Sequence, residues 1–288
     1  MQRLSDPGMT RKVISQYDFD FRKRFGQNFL VDEGVILRAL EAARVSKEDV
    51  IIEIGPGIGT LTQYLAEAAY QVTAIEIDKK LIPILSETLA GCDNVEVIHA
   101  DVLKVDLSAI AQKYAPEHSL KIVANLPYYI TTPILMNLFR RSVPAQSITV
   151  MVQKEVADRM TAQPGSKDYG SLSVAVQYYS RPRIVEEVPP DSFIPHPKVT
   201  SSVVTMELYE ELPVRAQNEE LFNTVVRAAF GQRRKTLVNA LSSNAEVPFG
   251  KEQVASCLDQ LGFPPAIRGE KLSIGDFVSL SDCLSASG

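Results

Sequence analysis

Between Val50 and Tyr209, short apolar runs alternate with stretches whose apolar residues recur every three or four positions. Val50-Ile51-Ile52-Glu53-Ile54 runs into glycines and reads as a buried strand. Leu61, Tyr64, Leu65 and Ala68 then keep the i, i+3, i+4, i+7 spacing of an amphipathic helix. Val72 to Ile77 reads as the second strand, Val95-Glu96-Val97-Ile98 as the third and Leu120-Lys121-Ile122-Val123-Ala124 as the fourth. Leu81, Ile84, Leu85 and Leu89 mark one intervening helix; Ile134, Leu135, Leu138 and Phe139 mark another, before a fifth strand at Ile148 to Val152. Strands separated by helices of this length predict a parallel sheet covered on both faces.

The rhythm then changes. Val185 to Val188 and Ser202 to Leu208 read as two more strands, divided by Pro189-Pro190 and Pro195-His196-Pro197. After Glu210-Glu211-Leu212-Pro213 only helical periodicity remains, at Leu221, Phe222, Val225 and Val226, at Leu237 and Leu241, and at Val254, Leu258 and Leu261. A domain boundary is placed near residue 211, and Ser285 to Gly288 is expected to fray.

Composition excludes several classes. With 288 residues, 45% hydrophobic and 23% charged, the chain has room for about two globular domains and is neither disordered nor fibrous. No apolar run approaches the ~20 residues of a membrane helix, and the N-terminus lacks the apolar core of a secretory signal. Cys92, Cys257 and Cys283 lie far apart in the sequence, without a CxxC, so neither a disulfide framework nor a zinc site is expected. A cytoplasmic location, no membrane and no metal are the resulting expectations. The net charge of −5 is unevenly spread: residues 1–24 carry 6 basic and 3 acidic side chains, whereas residues 25–110 carry 6 and 14. Two basic triplets, Arg22-Lys23-Arg24 and Arg233-Arg234-Lys235, could bind phosphate locally, or could simply be solvated surface.

Glu53-Ile54-Gly55-Pro56-Gly57-Ile58-Gly59-Thr60 follows a strand and opens a helix, where glycines let the backbone approach a ligand. The spacing is not GxGxxG, and no GK[ST] follows, so the loop carries neither a dinucleotide nor a nucleotide-triphosphate fingerprint. A ligand without phosphates suits it, and S-adenosylmethionine is such a ligand. Glu76 ends the second strand, where a carboxylate can accept from two ribose hydroxyls, and Asp101 ends the third, where one can accept from the adenine amine. Ligands of open α/β sheets bind at the carboxyl ends of the strands, so these positions should converge.

Asn125-Leu126-Pro127-Tyr128 ends the fourth strand on the same edge. The exocyclic nitrogen of adenine is a poor nucleophile because its lone pair is delocalised into the ring. Accepting both of its hydrogens, through the Asn125 side-chain oxygen and the Leu126 carbonyl, would aim that lone pair at a methyl donor. Pro127 would stiffen the turn, and Tyr128 would offer a stacking face worth roughly 1–3 kcal/mol. Positioning and electrostatics then supply most of the acceleration. Downstream, the proline-spaced stretch Phe193-Ile194-Pro195-His196-Pro197-Lys198-Val199-Thr200-Ser201 should form a rigid extended loop. Phe193 is either a second wall for an extruded adenine or a core residue ahead of a strand, and the residues leave both open.

Other chemistries find no support. His99, His118 and His196 have no metal-ligand spacing, Asp32-Glu33 and Glu186-Glu187 read as surface charge, and there is no GxSxG.

These motifs together resemble the KsgA/RsmA family of ribosomal small-subunit adenine dimethyltransferases. The resemblance runs from Phe25-Gly26-Gln27-Asn28-Phe29-Leu30 through the glycine loop, Glu76, Asp101, Asn125 to Tyr128 and Phe193 to Ser201, and on to Phe230-Gly231-Gln232-Arg233-Arg234-Lys235-Thr236-Leu237. It implies an α/β fold: a Rossmann-like S-adenosylmethionine-dependent methyltransferase domain with a seven-strand, mostly parallel sheet, and a small C-terminal α-helical domain. The expected divisions are a basic extension over residues 1–24, the methyltransferase domain over 25–210 and the helical domain over 211–288. The implied activity is N6,N6-dimethylation of two adjacent adenines near the 3′ end of 16S rRNA, within the small ribosomal subunit or its precursor; nothing in the sequence suggests an obligate dimer, and a monomer is expected. It also implies that Asn28 and Leu30 line the cofactor pocket with Gly55, Gly57, Glu76, Asp101 and Asn125, and that both basic triplets contact RNA. Three consecutive helical residues fan over about 200°, so at least one of Arg233, Arg234 and Lys235 should face solvent. Two rival functions are a 23S rRNA dimethyltransferase conferring macrolide resistance and a non-catalytic RNA-binding assembly factor. The second has no need of Glu76, Asp101, Asn125 and Tyr128 together.

Overall fold

The computed structural model describes residues 3–19, 27–114, 117–141 and 143–287. In chain order it forms α1 (Pro7–Gln16), β1 (Phe29–Leu30), α2 (Glu33–Ala42), β2 (Asp49–Ile54), α3 (Thr60–Ala68), β3 (Gln71–Glu76) and α4 (Ile82–Thr88). Next come β4 (Val95–His99), α5 (Leu107–Tyr114), β5 (Ser119–Asn125), α6 (Thr131–Arg140), β6 (Ser147–Gln153), α7 (Lys154–Thr161) and α8 (Ser171–Tyr179). The chain continues with β7 (Ser180–Val188), β8 (Phe193–Ile194), β9 (Ser201–Leu208), α9 (Glu219–Gly231), α10 (Leu237–Ser242), α11 (Lys251–Gln260) and α12 (Ile274–Ala286).

Seven strands make one sheet in the order β4-β3-β2-β5-β6-β9-β7. The pairs β4–β3, β3–β2, β2–β5 and β5–β6 are parallel, and β9 is antiparallel to β6. All six residues of β2 are buried, which is why its run of β-branched residues shows no alternation. The edge strand β4 has no buried residue and carries Glu96 and His99. Sequence order reverses between β2 and β5, so a crevice opens at their carboxyl ends. At the opposite ends, Lys121 interrupts an apolar run because its ammonium pairs with buried Asp49 at 2.9 Å and donates to the Arg44 carbonyl at 2.6 Å. A second, two-stranded sheet pairs β1 with β8 antiparallel, in the register Phe29↔Ile194 and Leu30↔Phe193. The sequence pattern missed it, since two-residue strands have no periodicity.

The chain divides into two compact units, residues 1–157 with 182–208 and residues 158–181 with 209–288. The break expected near 211 therefore has a counterpart at 208/209, but residues 158–181, with α8, also belong to the second unit. The residues of the expected basic extension that are described fold onto the first unit. Asp6 caps α1 by accepting from the Met9 N–H, Pro7 occupies the first turn, and Leu4, Val13 and Phe19 join a core with Phe29, Ile58, Leu81, Ile84 and Leu85. An exposed Arg3–Glu67 pair at 2.6 Å adds little to that burial. The second unit packs α8 to α12 around Tyr169, Tyr178, Phe222 and Phe277. Two of its helices, α9 and α12, start on side-chain caps: Asn218 accepts from Leu221 N–H, and Ser273 and Asp276 form a reciprocal capping box. Cys257 and Cys283, distant in sequence, are brought together by α11 and α12. Burial and the neighbouring Cys257 thiol push the Cys283 thiol up to about 11, and both are free. Among the described residues no helix is long and apolar enough to cross a membrane.

Candidate functional site

The crevice at the carboxyl ends of β2, β3, β4 and β5 holds a cavity of about 980 Å³, partly open to solvent. Its walls include Asn28, Leu30, Gly55, Gly57, Glu76, Asp101, Asn125, Leu126, Pro127 and Tyr128. Every residue expected at the cofactor site is thus in one cavity of the first unit. Parallel pairing puts the last residues of β2, β3, β4 and β5 on one edge, and β1, from the two-stranded sheet, brings Asn28 and Leu30 to it.

The glycine loop leaves β2 with positive φ at Gly55 (+71°) and Gly57 (+62°), which L side chains rarely adopt. At Gly57 a Cβ would also stand 3.0 Å from the Phe29 ring, so the loop closes on β1 only without a side chain there. Glu76 is oriented from both sides, accepting from Asp78 N–H at 2.7 Å and Gly57 N–H at 3.3 Å. Gln27 donates to Asp78 at 3.0 Å and extends this chain of contacts. Asp101 accepts from Leu103 N–H at 3.0 Å through one oxygen, which holds the carboxylate at the end of β4. Ile77 and Val102, each following one of these acids, add apolar wall that suits a flat ring.

Glu53 was not singled out by the sequence reading. It is 1% exposed, lines the cavity, and its Oε2 is buried without a hydrogen-bond partner. Burial pushes its carboxyl up to about 8; the nearby Thr62 hydroxyl opposes the rise, although it does not reach hydrogen-bond geometry, and the Glu76 charge adds to it. Burial likewise raises Glu76 to about 7, against the two N–H bonds it accepts. The only signal in the sequence was an acid inside an otherwise apolar run.

The lining contains three acids and no lysine, arginine or histidine. Once ionised, such a wall repels phosphate and is stabilised by a cation, so it fits a sulfonium-bearing nucleoside and fits a dinucleotide poorly. The orphaned oxygen of Glu53 points the same way.

At the end of β5 the Asn125 amide donates through Nδ2 to the Asn28 carbonyl at 3.2 Å, which leaves Oδ1 as its acceptor end. The Pro127 carbonyl is spent inside the turn, on Ile130 N–H (3.2 Å) and Thr131 Oγ1 (3.1 Å), whereas the Leu126 carbonyl is used by neither. Two acceptors therefore flank the turn. The Tyr128 hydroxyl lies 2.6 Å from Ser201 Oγ, and Tyr129 is half-exposed at the mouth.

Phe193 is the exception. It is fully buried with Leu30, Val35, Ile36 and Val203 and does not line the cavity. Of its two readings the structure gives the core residue, because pairing of β8 with β1 turns the ring inward; the expected second wall for the base is not presented. Phe193→Ala should lower stability by about 3–5 kcal/mol, as cavity-forming aromatic truncations do, measured by denaturant unfolding. A loss below about 1 kcal/mol would remove it from the core.

Arg22, Lys23 and Arg24 lie outside the described residues. Arg233, Arg234 and Lys235 are exposed, on the turn between α9 and α10 rather than on a helix as expected. Arg233 is committed within the second unit, to Glu270 at 2.9 Å and the Ser166 carbonyl at 3.2 Å. Arg234 and Lys235 make no ion pair among the described residues. Among those residues no group of three or more His, Cys, Asp or Glu stands close enough to hold a metal.

The chain has relatives along nearly its whole length. Ribosomal RNA small subunit methyltransferase A of Lachnoclostridium phytofermentans is 51% identical, over 99% of this chain and 98% of its own. The protein of the same name from Alkaliphilus oremlandii is 48% identical, over 99% of each. Among solved structures, a dimethyladenosine transferase from Plasmodium falciparum superposes with a TM-score of 0.73 at 27% identity, covering 88% of this chain and 95% of that one. The 23S rRNA methyltransferase ErmE gives 0.65 at 28%, covering 90% and 100%. Residues 18–284 match the family described as ribosomal RNA adenine dimethylase. With the match running through both units, this chain belongs to the ribosomal RNA adenine dimethylase family.

Proposed function

We propose that the chain dimethylates the exocyclic amines of two adjacent adenines near the 3′ end of 16S rRNA, using S-adenosylmethionine, in the course of small-subunit biogenesis. The carrying observation is the single acidic cavity in which Glu53, Glu76, Asp101 and Asn125 meet. Identity of 51% to a small-subunit enzyme, against 28% to ErmE, favours the small-subunit substrate over the 23S alternative. The proposed state is a monomer, and the cytoplasm is where this substrate would be met. The proposed division is residues 25–210 for methyl transfer and 211–288 for the helical domain, with residues 158–181 joining the latter.

S-adenosylmethionine supplies a methyl group already activated on a sulfonium, so no strong base is needed to drive transfer. Glu76, held by two backbone N–H groups, accepts the ribose hydroxyls, and Asp101 accepts the adenine amine. Gly55 and Gly57 let the backbone close on the ligand, while Asn28 and Leu30 complete the wall. Asn125 Oδ1 and the Leu126 carbonyl accept the two hydrogens of the target amine, and Pro127 fixes their separation. Tyr128 stacks the extruded base. Phe193 acts through β8, by holding β1 and hence the Asn28 carbonyl. Arg234 and Lys235 take phosphate contacts, Arg233 steadies the turn that presents them, and Arg22, Lys23 and Arg24 remain RNA-contact candidates.

Labelled cofactor given with each unmodified ribosomal subunit should mark the small one; label in the large subunit alone would overturn the assignment. Glu76→Ala should weaken cofactor binding by at least tenfold in a calorimetric titration, and an unchanged affinity would remove its ribose role.

A further inference from the structure

Ser201 closes the proline-spaced stretch, yet nothing in the chemistry above uses it. It is fully buried at the start of β9, in register with Gln153 of β6. Its hydroxyl reaches the phenol oxygen of Tyr128 at 2.6 Å. The sheet does not need that bond for itself. One position along β9, the Ser202 hydroxyl is buried with no partner at all, and Thr205 finds its partner in Thr149 at 3.0 Å within the sheet. Ser201 alone of these reaches out to the cavity wall.

We propose that Ser201 is a positioning residue for methyl transfer: by holding the far end of the Tyr128 side chain, it fixes the ring plane against which the target adenine stacks. The proposal rests on Tyr128 being the base wall. A tyrosine ring turns about two torsions. Its near end is already fixed, since Leu126 N–H donates to Met151 O at 3.1 Å and the Pro127 carbonyl closes the turn. With the hydroxyl end tied as well, neither torsion is free, and the ring is set before the base arrives. Transfer in line with a sulfonium tolerates little tilt of the amine, so a swinging wall should cost rate more than binding. The phenol stays protonated in this role: burial pushes it up, and the Ser201 bond opposes only part of that.

The test is a double-mutant cycle on methylation of unmodified small ribosomal subunits, with cofactor affinity measured on each variant. Ser201→Ala and Tyr128→Phe each remove the bond and should each lower kcat about tenfold, with cofactor affinity unchanged. The double variant should be no slower than either single one, because both delete one interaction. Ser201→Thr, which restores a hydroxyl, should recover most of the rate. Wild-type kcat in Ser201→Ala, or single effects that multiply to about a hundredfold, would overturn the proposal. Should Ser201→Ala fail to bind cofactor, Tyr128→Phe decides from the cavity side, and wild-type kcat there overturns it equally. Tyr128→Ala separates the two layers. If it keeps full kcat, the base-wall reading falls and Ser201 with it; if it is inactive while Ser201→Ala keeps wild-type kcat, only the Ser201 role falls.

Discussion

Asn125→Ala is expected to lower kcat for methylation of small subunits by about a hundredfold to a thousandfold, the range seen when one preorganised polar group is removed from a reacting centre. Affinity for the cofactor and for RNA should change far less. The reason lies in the direction of the amide. Nδ2 is tied to the Asn28 carbonyl, so Oδ1 is the end that accepts. Alanine deletes that acceptor while leaving the Leu126 carbonyl in place, and the target amine keeps one partner but loses its alignment. Asn125→Asp separates alignment from acceptance. It keeps an acceptor but loses the donor to Asn28, so the carboxylate is free to rotate and its buried charge is unpaired. It should be slower than wild type and no faster than about a tenth of it. Turnover near wild type in Asn125→Ala, in protein that still binds cofactor, would remove the amine-alignment step.

The parts of this site that were readable in the sequence are those carried by a local pattern. The apolar run ahead of Gly55, Glu76 at the end of one strand and Asp101 after another needed only the rule that parallel strands share a carboxyl edge. What stayed hidden depends on contacts between distant segments. Leu30 meets Phe193 across a two-residue ladder, and no window of sequence contains both. That ladder decides two things at once, the inward turn of Phe193 and the place of the Asn28 carbonyl behind Asn125. Residues 158–181 read as a continuation of the α/β pattern, but Tyr169 and Tyr178 bury their rings among α9 and α12, so the compact units do not follow chain order. Glu53 was legible as an acid in a buried strand, and its chemistry was not, because only the neighbourhood of its side chain tells an unpartnered carboxylate from a paired one.

That carboxylate carries the second large expected effect. In the folded, ligand-free protein Glu53 holds its proton up to about 8 and Glu76 up to about 7, whereas both have an ordinary carboxylate pKa of 4.5 when the chain is unfolded. Between pH 4.5 and 8 the folded state therefore binds more protons than the unfolded one. The stability that these two acids contribute is fully present below about 4.5 and is lost as pH rises towards 8, the reverse of a salt-bridged acid. Thermal unfolding of the ligand-free protein should show a midpoint that falls from pH 5 to pH 8.5, and Glu53→Gln should flatten much of that fall. At pH 8.5 the variant should be the more stable protein, by on the order of 1–3 kcal/mol, the usual cost of a buried unsatisfied group. A cationic ligand reverses the sign. It stabilises the ionised carboxylates, so wild-type affinity for S-adenosylmethionine should rise from pH 6 to pH 8.5, with protons released on binding. Calorimetry in two buffers of different ionisation enthalpy measures that release directly. Glu53→Gln should release fewer protons and bind more weakly at pH 8.5, while the two proteins converge at pH 6, where Glu53 is already neutral. Stability independent of pH over this window, or equal proton release in the variant, would mean that Glu53 is ionised in the empty cavity and paired by something other than the ligand.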